Sequence, residues 1–491
     1  MEHLIEFNSY LWSFLTYFLL GTGLFFTFRT KFIQLRKFPQ MFKVMFGPNS
    51  GVDGSISSFQ AYCTSLAGRV GTGNLAGVAI AITVGGPGAV FWMWVVSLVG
   101  MVTACVESSL AQLYKEREDL TTFRGGPAFY MERALGSRSL GILFSISLLF
   151  CYGFAFNAVQ SDSMANAMDH VFSIDKSWVG VATVVMTVFV IFGGIHRIAR
   201  FAEMLVPFMA ISYLLIAFTV IALNISELPH IFMIVIKDAF GLQEAAGGIL
   251  GLAIKRAIVK GTERGLFSNE AGMGSAPNAA ATADVKHPVE QGFVQMLGVF
   301  TDTIVICSAT AFIVLVSGKY TGWEADGISL TQTSLTSIVG EWGGIFIAIT
   351  LLFFAFTSIT ANYYYGENSI EFILPEADCP KRKRLRLIVT NIYRIMVLGM
   401  VYWGAVSSGA SWEISNTAMG FMTIINLVAI LLLTKPALIL IKDYEKQLDN
   451  STDGEQPVFD MDILPEKYQK RVAEGTWKKN KDDETDLENS E

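Results

Sequence analysis

Apolar runs longer than the ~18 residues that mark a membrane-spanning helix recur along this chain of 491 residues, and they restrict its fold more than any other feature. Hydrocarbon supplies no water to a broken backbone, so irregular segments survive there only where they line a cavity or are buried in protein. Charged residues make up 16% of the chain and hydrophobic ones 52%, whereas a soluble domain carries about 25% charged residues. The chain is accordingly expected to be an all-α polytopic membrane protein. The five cysteines, Cys63, Cys105, Cys151, Cys307 and Cys379, have neither the spacing of a disulfide framework nor that of a zinc site. The net charge of −7 draws on an acidic C-terminal tail and argues against nucleic acid as a partner. The first residues lack the basic n-region and cleavage site of a signal peptide, so the first apolar run is expected to remain as a helix.

About eleven spans of the required length can be placed. They run roughly over 10–28, 57–84, 87–114, 138–168, 177–195, 199–224, 246–283, 288–317, 342–373, 385–407 and 412–441. Lys and Arg concentrate in alternate loops, with Arg29 to Lys43 in the first, Lys115 to Arg133 in the third, Arg197 and Arg200 in the fifth and Lys381 to Arg386 in the ninth. By the positive-inside rule the N-terminus is outside and the tail cytoplasmic. Lys255, Arg256, Lys260 and Arg264 fall within the seventh span, which therefore cannot be an ordinary lipid-facing helix. After about residue 448 too few apolar residues remain to offset ordering, and a disordered or loosely attached tail is expected.

The second span contains Ser65 to Ala79, with Arg69, Asn74, Gly71, Gly73 and Gly77 inside it. Each glycine weakens a helix by about 1 kcal/mol relative to alanine. Two readings stand: close helix packing through Gly73-x-x-x-Gly77, or an interrupted helix that offers backbone groups to substrate and ions. A nucleotide-binding loop is excluded by the spacing. The seventh span carries Gly261, Gly265, Gly272, Gly274 and Pro277, so a continuous helix is not expected there either. Its Glu263, Arg264, Asn269 and Glu270 are functional candidates because ionisable groups in a membrane are costly, the alternative being internal ion pairing. Two broken helices five spans apart point to two inverted five-helix halves, 56–224 and 225–447. An extra N-terminal helix and basic loop (1–55) precede them, and the polar tail (448–491) follows.

The ninth span places Thr357, Ser358, Thr360 and Asn362 in an apolar helix. Hydroxyl and carbonyl oxygens are hard ligands suited to a small cation such as Na⁺, although each hydroxyl can instead bond back one turn. Asn157 and Gln160 in the fourth span, and Thr301, Asp302 and Thr303 in the eighth, are further buried polar groups, with interhelical packing as their alternative role.

At Gly71 to Ala79, Gly85 to Trp94, Gly125 to Tyr130 and Gly265 to Pro277 the chain resembles the alanine or glycine:cation symporter family of prokaryotes. The resemblance implies a LeuT-type inverted repeat of the APC superfamily, preceded by one additional helix. It also implies sodium-coupled uptake of alanine or glycine by alternating access across the bacterial or archaeal cell membrane, by a functional monomer. Carried onto this sequence, free N–H groups of Thr72 and Gly73 beside Asn74 would bind the substrate carboxylate, and the Thr72 hydroxyl and Gln160 would complete the polar end. A break from Phe267 through Asn269 and Glu270 to Gly272 would offer carbonyls to the ammonium. Thr357 and Ser358, with the carbonyls of Ala67 and Val70, would hold Na⁺. Arg69, two residues before the break, could stand in for a second cation or pair with Glu270 or Asp302.

The alternatives are a proton-coupled carrier using Glu270 or Asp302, a broader neutral amino acid symporter taking serine or glutamine, and a channel or receptor. An intramembrane enzyme is disfavoured, because the five histidines form no metal-binding pattern.

Overall fold

The computed structural model describes residues 2–47, 55–118, 121–192, 194–242, 247–323, 327–375, 379–407, 409–450 and 456–477. The fold is all-α apart from a short antiparallel pairing of Glu116 with Arg124 and Arg117 with Phe123. The main helices are α1 (Glu2–Arg29), α2 (Ser58–Arg69), α3 (Val78–Gly85), α4 (Gly88–Leu113), α5 (Arg138–Phe172), α6 (Lys176–Ile191), α7 (Gly194–Leu223) and α8 (Leu228–Ala239). They are followed by α9 (Gly247–Asn269), α10 (Ala276–Ala280), α11 (Pro288–Ser317), α12 (Gly327–Val339), α13 (Trp342–Ile373), α14 (Pro380–Val406), α15 (Ala410–Leu432) and α16 (Thr434–Asn450).

Among the described residues, eight helices are long and apolar enough to cross a membrane, and the bent pair α2–α3 makes a ninth. The other two expected spans fall short for different reasons. Helix α6 is apolar but has 16 residues, and α9 carries Lys255, Arg256, Lys260, Glu263 and Arg264. Lys255 and Arg256 lie exposed, whereas Glu263 and Arg264 are buried further along the same helix. The eleventh run also ends earlier than its apolarity suggests. Helix α15 stops at Leu432, and Pro436 near the start of α16 fits a new helix, where a missing N–H costs nothing.

The first interruption lies where the glycines place it. Helix α2 starts at a capping box between Ser57 and Gln60 and ends at Val70, whose backbone is extended, and α3 resumes at 52° to it. The second lies later than expected: α9 remains helical through Phe267 and Asn269, and the chain breaks from Glu270 to Ser275. Glu270, Gly272 and Gly274 have φ values of 58°, 90° and 84°, a region open to glycine and strained for glutamate. Wide π-helical turns occur at Gly73–Gly77, Leu149–Phe156 in α5 and Phe300–Cys307 in α11. Such turns cluster at functional sites. Helix α11 begins at a capping box in which His287 Nδ1 accepts from Val289 N and Glu290 Oε1 accepts from His287 N. Burial pushes the His287 imidazole below its usual range, against the pull of Asp443, so the neutral ring can accept that bond.

Helix α4 is the post on which the bundle packs. A Cβ at Gly261 of α9 would collide with the Ala89 carbonyl of α4, whereas one at Gly21 of α1 would meet nothing. Gly261→Val is therefore expected to cost about 1–3 kcal/mol by overpacking, and Gly21→Ala close to nothing. The thermal midpoint for loss of the monodisperse species in detergent measures both, and equal midpoints would contradict this packing.

Candidate functional site

The first break meets the last turn of α9, just ahead of the second break. A Cβ at Gly73 would lie 3.1 Å from both the Phe267 ring and the Ser268 backbone, so only glycine lets the interrupted helices approach this closely. The buried polar groups freed by each break are taken up by side chains. Gly71 N donates to Asn74 Oδ1 (2.9 Å). Thr72 donates twice to Gln160 Oε1, from its N–H (3.0 Å) and from its hydroxyl (2.8 Å). Gln160 thus brings a carbonyl oxygen to both donors of Thr72.

The polar groups sort into two ends. At one, Thr72 and Gln160 lie together with Gly71, where an added Cβ would crowd both Gln160 and Ser358. Ser358 Oγ reaches the carbonyls of Ala67 (2.9 Å), Phe354 (3.0 Å) and Val70 (3.4 Å). Thr357 Oγ1 donates to the same Phe354 carbonyl (2.9 Å). Ala67, Val70 and Ser358 are therefore gathered in one oxygen-rich point with a carbonyl that sequence reasoning overlooked. At the other end, Asn74 Nδ2 donates to Asp302 Oδ1 (2.7 Å), while Ser268 and Thr303 donate to Asp302 Oδ2 at 2.7 and 2.9 Å. Asn74 therefore closes its own break and faces α11, whereas Thr72 faces α5.

In the second break, Asn269 caps the end of α9: its Oδ1 accepts from Ala271 N and its Nδ2 donates to Thr303 Oγ1. Glu270 Oε2 accepts from Ser275 Oγ (2.7 Å), and the carboxylate is fully buried. Gly272 is fastened to α4 and α15. Its N–H donates to Glu107 Oε1 (3.0 Å) and its carbonyl accepts from Asn426 (2.9 Å), which also donates to Glu107 Oε2. Sequence reasoning missed Glu107, although a carboxylate in the middle of an apolar run was a usable signal.

Phe267 belongs to an aromatic layer over Gly73. Its ring stacks on Phe156 at 4.5 Å and meets Trp412 at 4.9 Å, and the Arg264 guanidinium lies 4.6 Å from the Trp412 ring. Beyond Trp412 opens a cavity of about 510 Å³ lined also by Ile80, Asp162, Lys176 and Gly327. Trp412 too was missed, since periodicity gives no hint that the start of α15 reaches α9.

Several candidates have the plainer role. Glu263 pairs with Lys260 and Arg264, Thr360 bonds back to Thr357, and Asn362 donates to Asn157 between α13 and α5. Thr301 accepts from the Tyr62 hydroxyl. Arg69 makes no ion pair with Glu270 or Asp302 within 4.0 Å. It is 2% exposed, none of its three side-chain nitrogens has a hydrogen-bond partner among the described residues, and an added Cβ at Gly298 would strike its Nη1. It remains within electrostatic reach of Glu107, Glu270 and Asp302.

A model of the sodium:alanine symporter family matches residues 1–461. Over 459 residues the chain is 48% identical to the amino-acid carrier protein AlsT of Bacillus subtilis (strain 168), covering 93% of this chain and 94% of that protein. It is 46% identical over 468 residues to the probable sodium/glutamine symporter GlnT of the same organism, covering 94% of each. The crystal structure of MhsT in complex with L-phenylalanine superposes with a TM-score of 0.56 at 12% identity, over 80% of this chain and 93% of that one, which shows a LeuT-type fold. With two opposed broken helices at its centre and this match along its length, the chain belongs to the sodium:alanine symporter family and is an amino-acid transporter of the cell membrane.

Proposed function

We propose that the protein couples Na⁺ to the uptake of a small neutral amino acid, alanine or glycine, by alternating access. One observation carries this reading: a single break gathers both an ion-type and a carboxylate-type site. The carbonyls of Ala67 and Val70 meet Ser358 on one side of Gly71, and the donors of Thr72 meet Gln160 on the other. The substrate carboxylate takes the place of Gln160 Oε1 on Thr72, and Na⁺ takes that of the Ser358 proton among the carbonyls. Hard oxygen donors of this kind suit an alkali cation. The basic end of the bundle, with the Arg29–Lys43 and Lys381–Arg386 clusters, faces the cytoplasm, and the cavity beyond Trp412 is the outer approach.

Uptake of labelled alanine by proteoliposomes under an inward Na⁺ gradient tests the reading. Ser358→Ala removes one ion ligand and is expected to raise the half-saturating Na⁺ concentration roughly tenfold, the effect of losing about 1.5 kcal/mol. A second coupling mode has its own observation. Among the described residues Asp302 accepts only from the neutral groups of Asn74, Ser268 and Thr303, so its carboxylate is placed to hold a proton. Uptake that persists in choline, follows the pH gradient and is lost in Asp302→Asn would replace Na⁺ by H⁺.

The aromatic layer of Phe156, Phe267 and Trp412 limits side-chain length above Gly73. Trp412→Ala is expected to raise the glutamine-to-alanine uptake ratio about tenfold, since a hydrophobic pocket discriminates by about 1–3 kcal/mol per methylene. An unchanged ratio would place the specificity wall elsewhere.

Arg69 supplies a fixed positive charge beside Glu107, Glu270 and Asp302 and so takes the place of a second ion. Arg69→Ala should raise the Hill coefficient for Na⁺ above that of the unsubstituted chain. An unchanged Na⁺ dependence removes this role.

A further inference from the structure

The segment after α16, too polar to fold by its composition, is docked over residues 456–477 against the basic end of the bundle. It is anchored first to its own helix: Gln447 accepts from Val458 N and donates to Val458 O at 2.9 and 3.0 Å. Phe459 N then donates to the Lys286 carbonyl (3.0 Å), and the Phe459 ring packs edge-on against His287. Met461, Leu464 and Val472 are buried, which supplies the apolar anchorage that average composition conceals.

Its last residues cap other helices. A helix leaves its final carbonyls without partners, and the strap supplies donors to two such ends. Arg471 Nη1 donates to the carbonyls of Arg133 and Ala134 (2.8 Å each). Trp477 Nε1 donates to Gln112 O (3.0 Å) at the end of α4, and Thr476 Oγ1 to Lys115 O (3.2 Å).

What Trp477 covers gives these contacts their significance. Its ring packs on a separate small cluster of Ile56, Ala61, Ala199, Ala283 and Val285. Ile56 and Ala61 open the first broken helix, while Ala283 and Val285 follow the second. The two are stitched by a parallel bridge between Ile56 and Ala283, with Asp284 N donating to Ile56 O (3.0 Å). Lys115 ties the same point from α4, its Nζ donating to Ala283 O (2.7 Å) beside the Trp477 ring. The near ends of both interrupted helices are thus joined at one place, and Trp477 lies over the joint. The opposite end has the open cavity below Gly327 and Trp412.

We propose that residues 456–477 are a latch that holds the inner gate shut, with Trp477 as the positioning residue that pins the first broken helix to the segment after the second. This goes beyond the transport reading but rests on its alternating-access part: α2 cannot move away from Ala283 until the strap lets go. The family match ends at residue 461, so Arg471, Thr476 and Trp477 lie past the matched region. The latch therefore adds control to a gate that the matched region itself builds.

The test uses the full-length chain purified in detergent, with Cys379, the exposed cysteine, changed to Ser and a reporter introduced as Ala61→Cys. Ala61 is buried in the cluster on which Trp477 packs, and maleimide labelling of this reporter reads gate opening. Trp477→Ala is expected to speed labelling roughly tenfold, the factor that corresponds to 1.4 kcal/mol of lost latch contact. Arg471→Ala, on the far side of the strap, should act in the same direction, and Trp477→Phe, which keeps the packing and loses one hydrogen bond, should fall between. Unchanged labelling in Trp477→Ala and Arg471→Ala would overturn the latch, and retained monodispersity with alanine uptake identifies the variants as folded. If labelling responds to Trp477 while the unsubstituted chain shows no Na⁺-driven uptake, the latch stands and the coupling reading falls. Na⁺-driven uptake with labelling indifferent to Trp477 has the reverse meaning.

Discussion

Everything at the centre of this protein depends on satisfying two broken backbones in a place without water. An unpaired buried N–H or carbonyl costs about 1–3 kcal/mol, and two interruptions in one bundle would free several at once. The structure meets them with side chains, most of them from other helices. Asn74 and Gln160 take the N–H groups of Gly71 and Thr72, Asn269 and Glu107 take those of Ala271 and Gly272, and Asn426 donates to the Gly272 carbonyl. Each of these partners is buried, and most belong to a different helix from the group they satisfy. The breaks therefore dictate which helices must sit beside them, and the bundle is arranged around that requirement.

The two sides of the first break are not independent. Gly71 has Ser358 on one side and Gln160 on the other, with no room for a Cβ between them. Any movement of Val70 toward an ion shifts the peptide whose neighbour, Thr72, donates to Gln160. On the proposed reading, coupling between ion and substrate would need no long pathway, because differential contact at one peptide can bias both sites. The second break plays another part. Its Gly272 is fastened to Glu107 and Asn426, so it fixes the bend of one helix against α4 and α15, while Phe267 and Ser268 one turn earlier meet Gly73.

How much of this was legible depended on range. The break at Gly71 to Asn74 could be read locally, because glycine and polar residues in an apolar run leave few options, and the pairing of Ser358 with Ala67 followed once a family resemblance set the register. The second break was placed a few residues early. Gly265 counted as a breaker by propensity, yet it lies in regular helix at a close approach to Met93 and Val96 of α4, where tertiary packing outweighs about 1 kcal/mol of intrinsic cost. Trp412 and Asn426 were invisible because both act through contacts more than a hundred residues distant in sequence. The strap escaped for a different reason: a mean over the polar tail hides Phe459, Met461, Leu464, Val472 and Trp477, which are few but all face the protein.

The charges buried near the breaks supply a physical reason for cation coupling that is separate from any single ligand. Glu270 lies near Asp302, and Arg69 is within electrostatic reach of both and of Glu107. If all were ionised, three negative charges would face one positive charge, a state that a low-dielectric interior opposes strongly. Binding a cation, or a proton, lowers that cost wherever in the cluster it enters. A guanidinium suits the fixed part of this arrangement better than an ammonium would, because it stays charged when buried. Among the described residues Arg69 makes no direct ion pair, and the carboxylates are held instead by Asn74, Ser268, Thr303, Ser275, Asn426 and the backbone of Gly272.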